Sequence, residues 1–244
     1  DMMQIKIKDV NINYVNYGKK DADTIVYLHG WGQNIEMMKP IADPFSEEYN
    51  ILIIDIPGYG LSTEPTYTWT CYDYVECFKE MFDSLGIVNP ILVGHSFGGK
   101  ISLLYASKYD VKKMVLFGSP FKKEVQKMSL KVKTLKALKK VPGLNKLEGF
   151  AKKHIGSTDY RNASETMRKI LVDTVNLDIT DEVKKIKCPT LIVWGTLDEA
   201  VPVKRAYELE ELISDAGVVI YENCTHYAYL ERLNQTINVL WNFL

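Results

Sequence analysis

The sequence predicts an α/β fold: a mostly parallel eight-stranded sheet with an antiparallel N-terminal edge and one helical insertion. Six short runs are continuously apolar, segments of helical spacing lie between them, and the first seventeen residues alternate with period two instead. A continuous apolar run means burial on both faces, as in a parallel sheet covered by helices. Alternation means one solvated face.

Gln4-Ile5-Lys6-Ile7-Lys8 and Asn11-Ile12-Asn13-Tyr14-Val15-Asn16-Tyr17 alternate on either side of a short Asp9-Val10 link, and read as an antiparallel hairpin. The continuous runs begin at Ile25, Ile51, Ile91, Met114, Leu191 and Val218. Helical spacing covers roughly 34–47, 71–85, 97–109, 203–214 and 228–242. Strand alternating with helix is the signature of an α/β sheet. The alternation breaks once. Between Phe117 and Leu191 there is no strand signal, and three helical stretches fall near 122–140, 145–154 and 162–175, with Pro142-Gly143 between the first two. Residues 119–187 therefore read as a helical insertion into a core made of 1–118 and 188–244.

The chain has 244 residues, 30 Lys/Arg against 31 Asp/Glu, and nearly half of its residues are hydrophobic. That balance excludes a disordered chain and a dedicated nucleic-acid binder. No apolar run reaches the roughly 18 residues of a membrane helix, so no stable membrane insertion is expected. Cys71, Cys77, Cys188 and Cys224 form no C-x-x-C pair and no dense framework, which fits a reduced, cytoplasmic protein. The beginning, Asp1-Met2-Met3-Gln4, shows no basic stretch followed by an apolar one, so no signal peptide is visible; a leader already cleaved would leave the same beginning.

The charges are sorted. Residues 119–187 carry 17 Lys/Arg and 8 Asp/Glu, a net of +9, and the remainder carries 13 and 23, a net of -10. Eleven lysines fall between 122 and 153, beside only Glu124 and Glu148. Val125, Met128, Val132 and Leu135 recur at spacings of 3 and 4, so the first stretch reads as a solvated helix docked by an apolar stripe. Its basic face would also suit an acidic partner or carrier, an anionic membrane surface, or attraction of anionic substrates.

Gly94-His95-Ser96-Phe97-Gly98-Gly99 follows the apolar run Ile91-Leu92-Val93 and opens a helical segment. This is G-x-S-x-G where a strand turns sharply into a helix. The central residue is forced toward positive φ, Gly94 and Gly98 let the backbones pass, and Ser96 Oγ is lifted clear of the sheet.

With this elbow the chain resembles the α/β-hydrolase superfamily. Tyr27-Leu28-His29-Gly30-Trp31-Gly32 is similar to the family's oxyanion loop, and Asp55-Ile56-Pro57-Gly58-Tyr59-Gly60-Leu61-Ser62 to its D-x-P-G-x-G-x-S segment. Gly195-Thr196-Leu197-Asp198-Glu199-Ala200-Val201-Pro202 resembles the acid loop and Cys224-Thr225-His226 the histidine loop. The resemblance implies an α/β-hydrolase sheet in which the helical insertion is a cap over the active site. The H-G-W-G form of the oxyanion loop is similar to that of small carboxylesterases. Ser96 argues against the Asp-nucleophile branches of the family, and neither H-G-G-P-G nor H-G-G-G is present.

A serine hydroxyl needs a neighbouring base. Of the four histidines, His29 lies in the oxyanion loop, His95 points to the face opposite Ser96, and His154 sits among lysines. His226 follows the last strand run, at the carboxyl edge where such sheets bind ligands. Asp198 ends the preceding strand at the same edge and is the orienting carboxylate. The strand end Phe117-Gly118-Ser119-Pro120 offers no rival acid. The catalytic residues expected are Ser96, Asp198 and His226, in the family's order. The amides of Trp31 and Phe97 form the expected oxyanion hole, and His29, Gly30, Trp31, Phe97 and Tyr227 the expected pocket. No cofactor and no metal is expected, since no phosphate loop or metal-ligand cluster appears. The partner expected is a small-molecule acyl substrate. Ester hydrolysis is the leading reading; thioesters, lactones, amides, C–C bonds and non-catalytic ligand binding stay open.

Overall fold

The computed structural model describes residues 1–124 and 163–244. The strands are β1 (Met2–Ile7), β2 (Val10–Gly18), β3 (Thr24–Leu28), β4 (Asn50–Ile54), β5 (Ile91–His95), β6 (Lys113–Phe117), β7 (Thr190–Gly195) and β8 (Ala216–Tyr221). They form one sheet in the order β1-β2-β4-β3-β5-β6-β7-β8. β1 and β2 run antiparallel to each other, β2 runs antiparallel to β4, and the other pairs are parallel. The eight-stranded sheet with its antiparallel N-terminal edge is thus the one the hydropathy pattern describes.

The continuous apolar runs serve two cores. Val26, Leu28, Leu52, Ile54, Leu92, Leu116 and Ile192 face one core, while Ile25, Tyr27, Ile51, Ile53, Val93, Val115 and Val193 face the other. Successive side chains of a strand point to opposite faces, so a strand covered on both sides has no polar position to alternate with. The first core receives α2 (Cys71–Ser84), α3 (Phe97–Lys108), α4 (Glu165–Asn176) and α6 (Lys204–Leu212); the short α5 (Thr180–Val183) adds Val183. The second receives α1 (Lys39–Ala42), α7 (Ala228–Glu231) and α8 (Leu233–Phe243). α2 starts on a capping box in which Thr70 and Asp73 satisfy each other's amides. α4 starts on Ser164, whose hydroxyl accepts from Met167 N–H at 3.1 Å.

Two helical expectations are corrected. Residues 34–47 hold no single helix: one-turn α1 sits between two 3₁₀ turns, Ile35–Met37 and Asp43–Phe45. Pro40 and Pro44 lack the amides a continuous helix would need, and a proline ring clashes with the carbonyl four residues back. The segment 228–242 divides at Arg232, whose φ of -121° and ψ of 52° lie outside helical values. In the insertion, α4 occupies the third expected stretch. The first two stretches, His154 and most of the Lys-rich face lie outside the described residues. Among the described residues no helix is long and apolar enough to cross a membrane.

Candidate active site

Three loops meet at the carboxyl edge of the central strands. Ser96 stands between β5 and α3 with φ of 54° and ψ of -113°. A positive φ in a non-glycine residue costs about 1–3 kcal/mol and persists only where its surroundings enforce it. A Cβ on Gly94 would lie 2.6 Å from Gly98 O, and one on Gly98 only 2.1 Å from Leu28 O. Only glycines allow the strand, the helix and β3 to approach this closely. Although Ser96 occupies the N-cap position of α3, its side chain makes no capping hydrogen bond. The turn directs the hydroxyl elsewhere. Phe97 is the first helical residue, where an amide has no carbonyl of the same helix ahead of it.

Asp198 and His226 are brought together from the ends of β7 and β8. His226 Nδ1 is 2.8 Å from Asp198 Oδ2, and both side chains are almost fully buried. The other carboxylate oxygen accepts from the amides of Ala200 at 3.0 Å and Val201 at 2.8 Å. Trp194 Nε1 donates to Val201 O at 2.9 Å and steadies that loop. With Nδ1–H given to the carboxylate, the imidazole presents Nε2 as an acceptor. Gly118 abuts the pair: a Cβ there would lie 3.0 Å from both Asp198 Oδ2 and His226 Nδ1. Ser96 N–H donates to Phe117 O, the residue before Gly118, so Ser96 and the pair both border the end of β6.

Two supports of this edge escape sequence reasoning. His95, fully buried, donates from Nε2 to the backbone oxygen of His226 at 2.9 Å, while its Nδ1 lies 3.4 Å from Gln33 Nε2. Gln33 Oε1 in turn accepts from Gly30 N–H at 3.0 Å. One buried chain of hydrogen bonds therefore joins the oxyanion loop, the elbow and the histidine loop. Burial, reinforced by the neighbouring His226, pushes the His95 imidazole well below its ordinary value, so it is held neutral. The second support is Glu231, which accepts from the amide and hydroxyl of Thr225 at 2.6 and 3.0 Å. Burial raises its carboxyl above the ordinary range. A polar residue inside an apolar run was the available signal for His95; for Glu231 there was none.

The expected pocket residues separate. Trp31 borders a cavity of about 320 Å³ with Gln33, Asn34, Tyr59, Glu64 and Met167 among its other walls. The Phe97 ring packs edge-on against Trp31 at 5.6 Å and stands behind it. His29 is fully buried: Nδ1 meets Gly30 O at 2.7 Å, Nε2 accepts from Ile56 N–H at 3.0 Å, and the ring lies edge-on to Tyr59 at 5.8 Å. Gly30 packs against Gln33 and His95, where a Cβ would lie 2.8 Å from Gln33 Nε2. Tyr227 belongs to the second core, beside His95 and His226, and not to the cluster that holds Trp31 and Phe97. In the D-x-P-G-x-G-x-S segment, buried Asp55 accepts from Ile35 N–H, Leu61 N–H and Asn13 Nδ2, each at 2.9 Å, and braces the loop rather than reaching the edge. Among the described residues no cluster of His, Cys, Asp and Glu could hold a metal ion.

Residues 23–140 match the family model described as the α/β-hydrolase fold. This match and the chain's relatives support the α/β-hydrolase superfamily. Among its relatives, the pimeloyl-acyl-carrier-protein methyl ester esterase of Aliivibrio fischeri is 23% identical over 92% of this chain and 94% of that protein. Lipase 1 of Psychrobacter immobilis is 27% identical over 91% of this chain and 77% of that protein. Of the solved structures, the enol-lactonase from Burkholderia xenovorans superposes with a TM-score of 0.80 at 19% identity, covering 99% of each chain. That likeness shows the fold, and the family as a whole marks the chain as a hydrolase.

Proposed function

We propose that this protein is a serine hydrolase that cleaves carboxylic esters of small to medium acyl groups through an acyl-enzyme intermediate. The carrying observation is the 2.8 Å Asp198–His226 contact at the same sheet edge as a serine held at φ of 54°. In the proposed reaction Ser96 Oγ attacks the acyl carbon and His226 Nε2 takes its proton. The carbonyl oxygen becomes an oxyanion, stabilised by the amides of Trp31 and Phe97; one such donor is worth roughly 10²–10³ in rate. Collapse expels the alcohol, which receives the proton from His226. Water, deprotonated by the same imidazole, then attacks the acyl-enzyme and restores Ser96. Asp198 keeps the imidazole in the tautomer this sequence needs.

Relatives named as methyl ester esterase and lipase support esters as the substrate class. The structural likeness to an enol-lactonase keeps cyclic esters within it. Residues 119–187 act in this reading as a cap, with α4 and α5 among its described parts. Hydrolysis of p-nitrophenyl acetate and butyrate, measured beside Ser96→Ala, tests the proposal. Turnover that disappears in the variant is expected. Equal rates in both proteins, or failure of a fluorophosphonate to label Ser96, would overturn it.

A further inference from the structure

α3 is buried along its whole first part, and it carries a lysine there. Lys100 is only 1% exposed and lies four residues beyond Ser96. An ammonium in such a place must find acceptors, because leaving it unpaired in an apolar core is far more costly than any packing gain. Its acceptors come from α4. Nζ donates to Thr174 O at 2.7 Å and to Leu177 O at 2.5 Å. Thr174 lies in the last turn of α4 and Leu177 is its C-cap. Those carbonyls are the negative end of the helix, where a cation is favoured. Lys100 thus fastens the C-terminal end of α4 onto the helix that begins at Ser96.

The other end of α4 lies at the cavity. Ala163, Ser164 and Met167 form one wall, facing Trp31 and Tyr59. Met167 presses on Gly58, where a Cβ would meet the Met167 methyl at 2.2 Å. Ser164 Oγ donates to Glu64 Oε1 at 2.6 Å. At about 1.5 Å per residue, the twelve residues of α4 span roughly 18 Å, so a tilt of about 10° at the lysine end moves the cavity end by roughly 3 Å.

We propose that the cavity bordered by Trp31 and Gly32 of the oxyanion loop receives the acyl group, and that Lys100 is a specificity-positioning residue. By seating α4 on the nucleophile helix it helps set where Ala163, Ser164 and Met167 stand at that cavity, and so the length of acyl group accepted. Lys100 touches neither substrate nor the reacting atoms. This inference rests on the ester-hydrolase reading. It assigns to α4 the selection of substrate and leaves the chemistry to the loops at the sheet edge.

The test is a p-nitrophenyl ester series from acetate to decanoate, with fluorophosphonate labelling of Ser96 run in parallel. Lys100→Met keeps the buried stem and removes the ammonium. It is expected to label within about threefold of the parent and to keep kcat on acetate within a similar factor. The ratio of kcat/KM for octanoate over acetate should change at least tenfold, mostly through KM. Lys100→Arg keeps the charge but lengthens the arm, and should move the same ratio in the direction of longer chains. If Lys100→Met does not fold, the arginine variant decides alone. A chain-length profile parallel to the parent's in the folded variants overturns the proposal. A parent that neither labels nor cleaves any ester overturns the hydrolase reading instead, so the two failures are distinguishable.

Discussion

The sheet edge and the helix laid across it are held by different forces. At the edge, Gly30, Gln33, His95 and His226 are linked by buried hydrogen bonds, and Asp198 is fixed by His226 and two backbone amides. Such directional contacts fail abruptly when one partner is lost. α4 is seated mainly by apolar side chains, Met167, Ile170 and Leu171, with Lys100 at one end and the Ser164–Glu64 hydrogen bond at the other. Apolar contacts are non-directional and tolerate sliding. The contrast teaches that the groups at the edge are fixed by directional bonds, whereas the cavity wall formed by α4 rests largely on contacts that can shift without disturbing them.

Four measurements break or sharpen that contrast. The largest effect belongs to the edge itself: Ser96→Ala is expected to lower kcat by about 10⁶-fold, as in comparable triads, with little change in thermal unfolding. Asp198→Asn should cost about 10⁴-fold in kcat, because the amide favours the wrong imidazole tautomer; burst kinetics on p-nitrophenyl butyrate would show slowed acylation. A loss under tenfold would mean that another group orients His226.

Gly118→Ala places a methyl against the Asp198–His226 contact at a φ of +49°. Strain of about 1–3 kcal/mol implies a fall in kcat of roughly 10–100-fold if it is released by displacing the pair. The ester chain-length profile should stay unchanged, since α4 is untouched; a changed profile would show that the edge and the wall are coupled.

The smallest effect concerns the buried neutral His95. Its folded pKa lies below the ordinary 6.5 of the unfolded chain. The stability it contributes is therefore present above about pH 6.5 and is lost as pH falls, because the unfolded state then binds the extra proton. The loss should approach about 1.4 kcal/mol per pH unit from a unit below that value downward. His95→Gln should flatten this slope in urea titrations between pH 5 and 7. An unchanged slope would assign the acid sensitivity to other groups.

The sheet was legible because burial on both faces leaves a local mark, a run without polar interruption. The elbow was legible because Gly94 and Gly98 must flank a serine at that turn. The helix misread over 34–47 shows the limit of periodicity: apolar spacing persisted through Pro40 and Pro44, and the backbone could not follow it. Lys100, Gln33 and Glu231 left no usable trace, since each gains its meaning from a partner far away in the chain or across a turn. The burial of His29 and Tyr227 likewise depends on partners that their neighbours in sequence do not announce.

The sequence by itself determined the order of strands and helices, the strained turn at Ser96, and the arrival of Asp198 and His226 at one edge. Those follow from local sterics and from hydropathy that repeats along the chain. Tertiary structure alone decided which backbone groups His29 and His95 bond to, and which end of α4 is fastened and which borders the cavity. Hydrogen bonds over a few ångströms between residues up to 131 apart in sequence carry no periodic signal, so only the folded chain reveals them.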